Sequence, residues 1–242
     1  MTTQTAAAQE VQVEIGGLHH AEAPAEAARV VLRPLANPLS LGFLGLAFAT
    51  LVFSGLEMGW VPVGETKTLA LAVLVFTVPA QFISCIFGFL TRDLVAASGM
   101  GVLAGTWAAT ALGTVLSPPG STSAALGLIL VASAAAVLMP AIGAAQAKLL
   151  AAAVNIGTAL RWAVTAGYEF SGAGDWKLAA GSMGIALGVL GLYASLAFEI
   201  EDQMRRTVLP TFRRELGTIA MKGDLAAQVT AVANEAGVRK QL

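Results

Sequence analysis

Six apolar blocks, each long enough to cross a lipid bilayer, dominate this chain and leave it very few possible folds. A helix spanning the ~30 Å hydrocarbon core needs about 20 apolar residues. Six segments meet that length: Leu39–Gly59, Thr68–Leu90, Leu94–Leu116, Thr122–Gln146, Lys148–Phe170 and Trp176–Glu199. The breaks between them carry turn chemistry: VPVGETK, TRD, SPPGST and SGAGD, with only Gln146–Lys148 parting the fourth and fifth. A membrane barrel would instead show alternating segments of about ten residues. Charge supports the same conclusion, since only 12% of the 242 residues are charged, against about 25% in a soluble domain. The expectation is an all-α integral membrane protein built as a six-transmembrane-helix bundle over residues 35–199.

The flanks fix an expected orientation. Residues 1–34 are rich in Ala, Gln and Glu, lack a basic stretch leading into an apolar one, and read as a flexible cytoplasmic extension. With that end inside, the inner segments carry Arg29, Arg33, Arg92, Lys148, Arg205, Arg206, Arg213 and Arg214, while the outer loops carry only Lys67 and Lys177. The positive-inside rule then places both termini in the cytoplasm, and the chain is expected as a multi-pass protein of the plasma (inner) membrane. Trp60 and Trp176 fall at outer span ends, where an interfacial aromatic belt belongs. Residues 200–242 form a cytoplasmic tail, expected as a helix, a break at Pro210 and a second short helix. Net charge is −1, which gives no electrostatic footprint for nucleic acid. His19 and His20 are an adjacent pair without Cys or carboxylate support, so no metal site and no cofactor are expected. Cys85 is the lone cysteine and reads as a packing residue.

Packing is legible in the small residues. Gly181, Gly184, Gly188 and Gly191 recur at three- and four-residue spacing in the sixth span, forming a face that admits a neighbouring backbone. Gly101, Gly105 and Gly113 suggest the same for the third span. Pro79 and Pro140 lie inside spans, where each removes a helical hydrogen bond.

Polar groups within the spans are costly and therefore functional candidates. They are Gln81, Asn155 and Arg161, with Glu57 and Glu169 toward the outer ends. Arg161 stands about 20 Å along its helix from Lys148, too deep to snorkel to the inner surface. Two roles fit it: an anchor for a carboxylate in a water-filled path, or a structural cation neutralised by Glu57 or Glu169. Gln81 and Asn155 divide between pore lining and interhelical hydrogen bonding. The spans hold no histidine, no carboxylate pair with catalytic spacing and no phosphate loop, so no catalytic residues are expected and the chain is not read as an enzyme.

Several stretches, in order, resemble one family. NPLSLGF, starting at Asn37 and Pro38, is similar to the N-P-x-P-x-G-x signature that opens the first span of the acetate uptake transporter family, the succinate–acetate permease-like group. VPAQFISCIFGF at 78–89 resembles its G-x-A-Q-L-x-A-G-M-W-E-F stretch, aligning Gln81 and Phe89. ASGMGVLAGTW at 97–107 matches A-T-A-F-x-x-Y-G-A-F-W at its tryptophan, AGYEFSGAGDWKLAAGSMGI at 166–185 resembles A-I-G-x-x-T-G followed by A-G-G-x-x-G-I, and LYASLAFEIEDQMRRTVLP is similar to the tail of actinobacterial members. The resemblance implies a homo-oligomer, a hexameric ring with one path per protomer, passing acetate, succinate or similar small carboxylates, with proton coupling. It implies a solute path with Asn37 and Pro38 at its inner mouth and Leu46 and Leu103 at its constriction, to which the intramembrane Gln81, Asn155 and Arg161 would supply the few polar contacts. Departures are specific: Ser40 replaces the second proline, Gly88 the family Glu, Leu46 a constriction Phe and Leu103 a constriction Tyr. An aliphatic collar at Leu46 and Leu103 would still close a pore to water. A channel for urea, short amides or protonated acids, and an accessory protein with a closed path, are the alternatives.

Overall fold

The computed structural model describes residues 35–214, 217, 218 and 221. The expected N-terminal extension, with His19, His20, Arg29 and Arg33, and most of the tail beyond 214 lie outside the described residues. Within them the chain forms six long helices: α1 Pro38–Glu57, α2 Thr66–Leu90, α3 Leu94–Leu116, α4 Ala124–Ala145, α5 Leu149–Ser171 and α6 Gly174–Met204, with a 3-10 turn Val63–Glu65 before α2. All six are long and apolar enough to cross a membrane.

Local chemistry starts and stops them. Asn37 caps α1 by accepting the Leu39 amide at 3.0 Å, and Pro38 takes the first helical position, where a missing N–H costs nothing. Asp93 and Ser123 cap α3 and α4 in the same way, through Ala96 N and Leu126 N. Gly172 ends α5 in the left-handed region, φ 67°, which glycine enters without a Cβ clash. Helices α2 and α4 run on through Pro79 and Pro140.

Each helix packs on its chain neighbours, and α6 closes the ring on α1. The most extensive contacts pair α2 with α3, α4 with α5, and α6 with α1. Burial separates the partners: 67, 56 and 61% of the apolar windows of α1, α3 and α5 is buried, against 33, 33 and 44% for α2, α4 and α6. The architecture is therefore three antiparallel pairs, each presenting its odd-numbered helix to the interior and its even-numbered one to the periphery. Because short connections make successive helices alternate in direction, all three inner helices run the same way. Their caps, Asn37, Asp93 and Lys148, share one face of the bundle, called here the N-cap face.

Glycine decides how closely the pairs approach. A Cβ at Gly181 would meet Met58 and Glu57, at Gly184 Ser54 and Arg161, at Gly188 Leu51, and at Gly191 Ala47. All four contacts are with α1 or its C-cap, except Arg161 on α5, so this stripe is the α6–α1 seam. On α3 the expectation fails in part. Gly101 lies against Cys85, but Gly105 and Gly113 have open space where a Cβ would be and do not pack within this bundle. Gly88 explains one departure from the family pattern. A Cβ there would stand 2.8 Å from backbone atoms of Ala96 and Ala97, so the α3 main chain occupies the room a glutamate would need.

The end of α6 also differs from expectation. It runs unbroken to Met204, past the expected span end at Glu199, and stops at Arg205 in the left-handed region, φ 51°. No helix follows over 206–214; that segment folds back as a strap across the start of α5. Leu149 N and Leu150 N donate to the carbonyls of Phe212 and Thr211, and Arg214 N donates to Ala147 O at 3.0 Å. The strap thus supplies acceptors to amides that a helix start leaves orphaned. Glu201, almost fully buried, holds it: Arg213 donates to both carboxylate oxygens at 2.6 and 3.2 Å, and Thr207 donates at 2.7 Å. This pull on Arg213 turns the chain back where alternating charges alone suggested a helix.

Candidate functional site

Toward the face opposite the N-caps, the inner helices converge on one charge. Arg161 of α5 is 2% exposed, and its Nη2 lies 2.9 Å from Glu57 Oε2 on α1. Nη1 donates to Thr165 Oγ1 at 3.4 Å, and the guanidinium carbon sits 6.0 Å from the ring centre of Trp107 on α3. A guanidinium has five N–H donors. The Nε donor is buried without a partner, and so is Ser54 Oγ on α1. Both face the Cβ position that Gly184 leaves vacant, so the two orphaned atoms share one notch between α1, α5 and α6. Trp107 Nε1 and Thr110 Oγ1 on α3 are likewise buried and unpartnered. Every one of these four groups can donate a hydrogen bond, and buried donors are ordinarily satisfied.

Above this layer opens a cavity of about 110 Å³. Phe53, Glu57 and Thr165 line its floor, and Tyr168, Glu169, Lys177 and the hydroxyls of Thr114, Ser117 and Ser121 its walls. Glu169 is not the partner of Arg161; it accepts the Ser123 amide at 2.7 Å at the start of α4. Lys177 lies 6.0 Å from the centre of the Tyr168 ring. The cavity is lined by two carboxylates, Glu57 and Glu169, and one cation, Lys177, while Arg161 pairs with Glu57 from outside the lining.

One ring from each inner helix adjoins this charge: Phe53, which also lines the cavity, Trp107 and Trp162. Phe53 and Trp107 lie 5.6 Å apart between ring centres, Trp107 and Trp162 6.5 Å. Leu46 and Leu103 are fully buried nearer the N-cap face and belong to the same apolar core. Gln81 is fully buried on α2; its Nε2 donates to Gly42 O at 3.4 Å and its Oε1 has no partner. Asn155, buried on α5, turns its amide nitrogen toward Gly99 and leaves Oδ1 unpartnered.

At the N-cap face, Asn37 N donates to Asp202 Oδ2 at 3.4 Å, and Ser40 hydrogen-bonds Glu199 and accepts, through its carbonyl, from Ser195 at 2.9 Å. Lys148 pairs with Asp93. Asn37, Pro38 and Ser40 thus tie α1 to the end of α6. Among the described residues no group of three or more His, Cys, Asp or Glu is placed to hold a metal.

Sequence reading singled out Arg161, Glu57, Gln81 and Asn155, but missed Ser54, Phe53, Thr110, Thr165 and Trp162 as site residues. A signal existed: Phe53, Trp107 and Trp162 each stand roughly four turns past the cap of their helix.

No family model matches the chain, and no curated protein matches it. Among solved structures it is similar to the bacterial acetate channel SatP, at 19% identity and a TM-score of 0.63, over 74% of this chain and 99% of that one. The likeness covers nearly the whole of that channel and shows that the two share a fold.

Proposed function

We propose that the chain is a membrane channel or transporter for small carboxylates of the acetate and succinate class, with Arg161 as the anion anchor of its path. One observation supports this above the rest: a deeply buried guanidinium keeps an unspent donor in a notch shared with the unpartnered Ser54 Oγ, and Trp107 and Thr110 on α3 hold two more unpartnered donors. Fixed structural ion pairs normally use their hydrogen-bonding capacity fully, because an unmade buried bond costs about 1–3 kcal/mol. Spare donors around a cation, beneath an open cavity, suit an arriving acceptor with a negative charge. The shared fold with an acetate channel supports the same solute class.

In this reading the N-cap face is cytoplasmic and the cavity opens outward, as the positive-inside count favours. Solute descends from the cavity past Arg161 and the rings, then by Leu46, Leu103, Gln81 and Asn155 to the mouth at Asn37 and Pro38. The protein sits in a plasma membrane as a homo-oligomer, a hexameric ring, with the exposed apolar residues of α2 and α4 facing lipid or neighbouring copies. Solute and proton move together.

Uptake of labelled acetate by vesicles containing the protein is expected to exceed that of protein-free vesicles and to rise with an acid exterior. Arg161→Gln is expected to lower it about tenfold or more when compared at equal amounts of assembled protein. Uptake at the protein-free rate at both acidic and neutral pH would remove the carboxylate reading.

A second reading has its own observation. Gln81 Oε1 and Asn155 Oδ1 are unpartnered acceptors, which suit the N–H groups of urea or a short amide, and the pairing of Arg161 with Glu57 leaves the layer neutral. Osmotic swelling with urea against acetate separates the two solute classes.

A further inference from the structure

Three large side chains, one from each inner helix, pack beside the cavity. Trp107 from α3 stands between Phe53 from α1 and Trp162 from α5, in ring contact with each, and Phe53 also lines the cavity. Both tryptophans are 1% exposed, and Phe53 is 8% exposed. Relative to the leucine pair the layer lies further from the N-cap face, by about 10 Å from Leu46 to Phe53 and about 6 Å from Leu103 to Trp107 at 1.5 Å per residue. A solute taken up by Arg161 therefore reaches the rings before it reaches either leucine.

We propose that the Phe53–Trp107–Trp162 layer is the size filter of the path and decides which carboxylates pass. The proposal rests on the carboxylate reading above. Its physical basis is rigidity. Leucine has rotatable branches that yield to a passing solute, whereas a packed aromatic ring moves only when its neighbours move. Trp107 is held further by the guanidinium of Arg161 at 6.0 Å from its ring centre. Short unbranched carboxylates fit past the edge of Phe53, the smallest of the three rings and the one facing the cavity; aromatic carboxylates do not.

The test is uptake of labelled acetate and labelled benzoate by vesicles carrying the wild-type protein, Phe53→Ala, Phe53→Leu or Leu46→Ala, at neutral pH. Phe53→Ala is expected to raise the benzoate-to-acetate ratio by about tenfold or more, the scale on which apolar pockets discriminate size. Phe53→Leu raises it less, and Leu46→Ala, which alters the path beyond the rings, changes it by less than Phe53→Ala does. A wild-type ratio in both Phe53 variants, or an equal rise in Leu46→Ala, overturns the filter. Should Phe53→Ala not fold, Phe53→Leu decides alone. The wild-type protein separates the two levels: no acetate uptake above protein-free vesicles defeats the carboxylate reading, while acetate uptake with unchanged ratios defeats only the filter.

Discussion

Arg161 and Glu57 form a buried ion pair whose removal is more instructive than its presence. Taking away one partner leaves a charge in an apolar layer, which costs about 3–5 kcal/mol, whereas replacing both by apolar residues of similar size is often neutral. Unfolding in detergent is therefore expected to show Arg161→Gln and Glu57→Gln each destabilised on that scale, and the double variant Arg161→Met with Glu57→Leu close to wild type. Stability and transport then come apart: the restored double variant lacks the cation and is expected not to carry acetate. Arg161 was visible in the sequence because a cation about 20 Å into an apolar span has few explanations. Its choice of Glu57 over Glu169 was not visible, since both carboxylates end outer spans. The choice depends on the α4 start at Ser123, whose amide engages Glu169. Ser54 and Thr110 escaped notice for another reason: a hydroxyl in a span usually bonds its own helix, as Thr158 does to Val154 O, and only coordinates show which ones do not.

Among the elements, the α2–α3 pair and the strap make separate predictions. At Gly88 a methyl group would press on the α3 main chain, which cannot rotate away as a side chain can. Gly88→Ala is expected to cost about 1–3 kcal/mol, the range of core overpacking, read as a lower unfolding midpoint; an unchanged midpoint would show that α3 shifts freely. For the strap, Glu201→Gln weakens the hold on Arg213 and Thr207. Faster amide hydrogen exchange is expected at Leu149, Leu150 and Arg214, with little change in the middle of α5, because those amides bond the strap or the residue it covers. The helices themselves were legible, since length, apolarity and cap residues are local properties. The strap was not. Its alternating charges satisfy a helical pattern, and the bonds that override it join residues far apart in sequence, such as Leu149 with Phe212. The Gly181–Gly191 stripe was legible as a packing face, but its partner α1 was not, for spacing says that a backbone approaches without saying whose.

Taken as a whole, the molecule is three helix pairs with like-directed inner helices, and this arrangement gives its two faces different chemistry. One carries caps, the Lys148–Asp93 pair and the strap; the other carries the cavity with Glu57, Glu169 and Lys177. Which helices lie inside was only faintly written in the sequence: the windows of α3 and α5 are less apolar than those of α2 and α4, but α1 is buried and strongly apolar at once. With Cys85 replaced by serine, a single cysteine at Ser121 is expected to react with an impermeant maleimide added outside cells, and one at Arg206 only after the membrane is opened. The reverse pattern would invert the direction of the path. The most direct measurement is uptake of labelled acetate into vesicles at neutral pH by the wild-type protein and by the equally stable Arg161→Met, Glu57→Leu double variant. Uptake above protein-free vesicles is expected for the first and uptake at the protein-free rate for the second. Equal uptake by both would contradict Arg161 as the anion anchor.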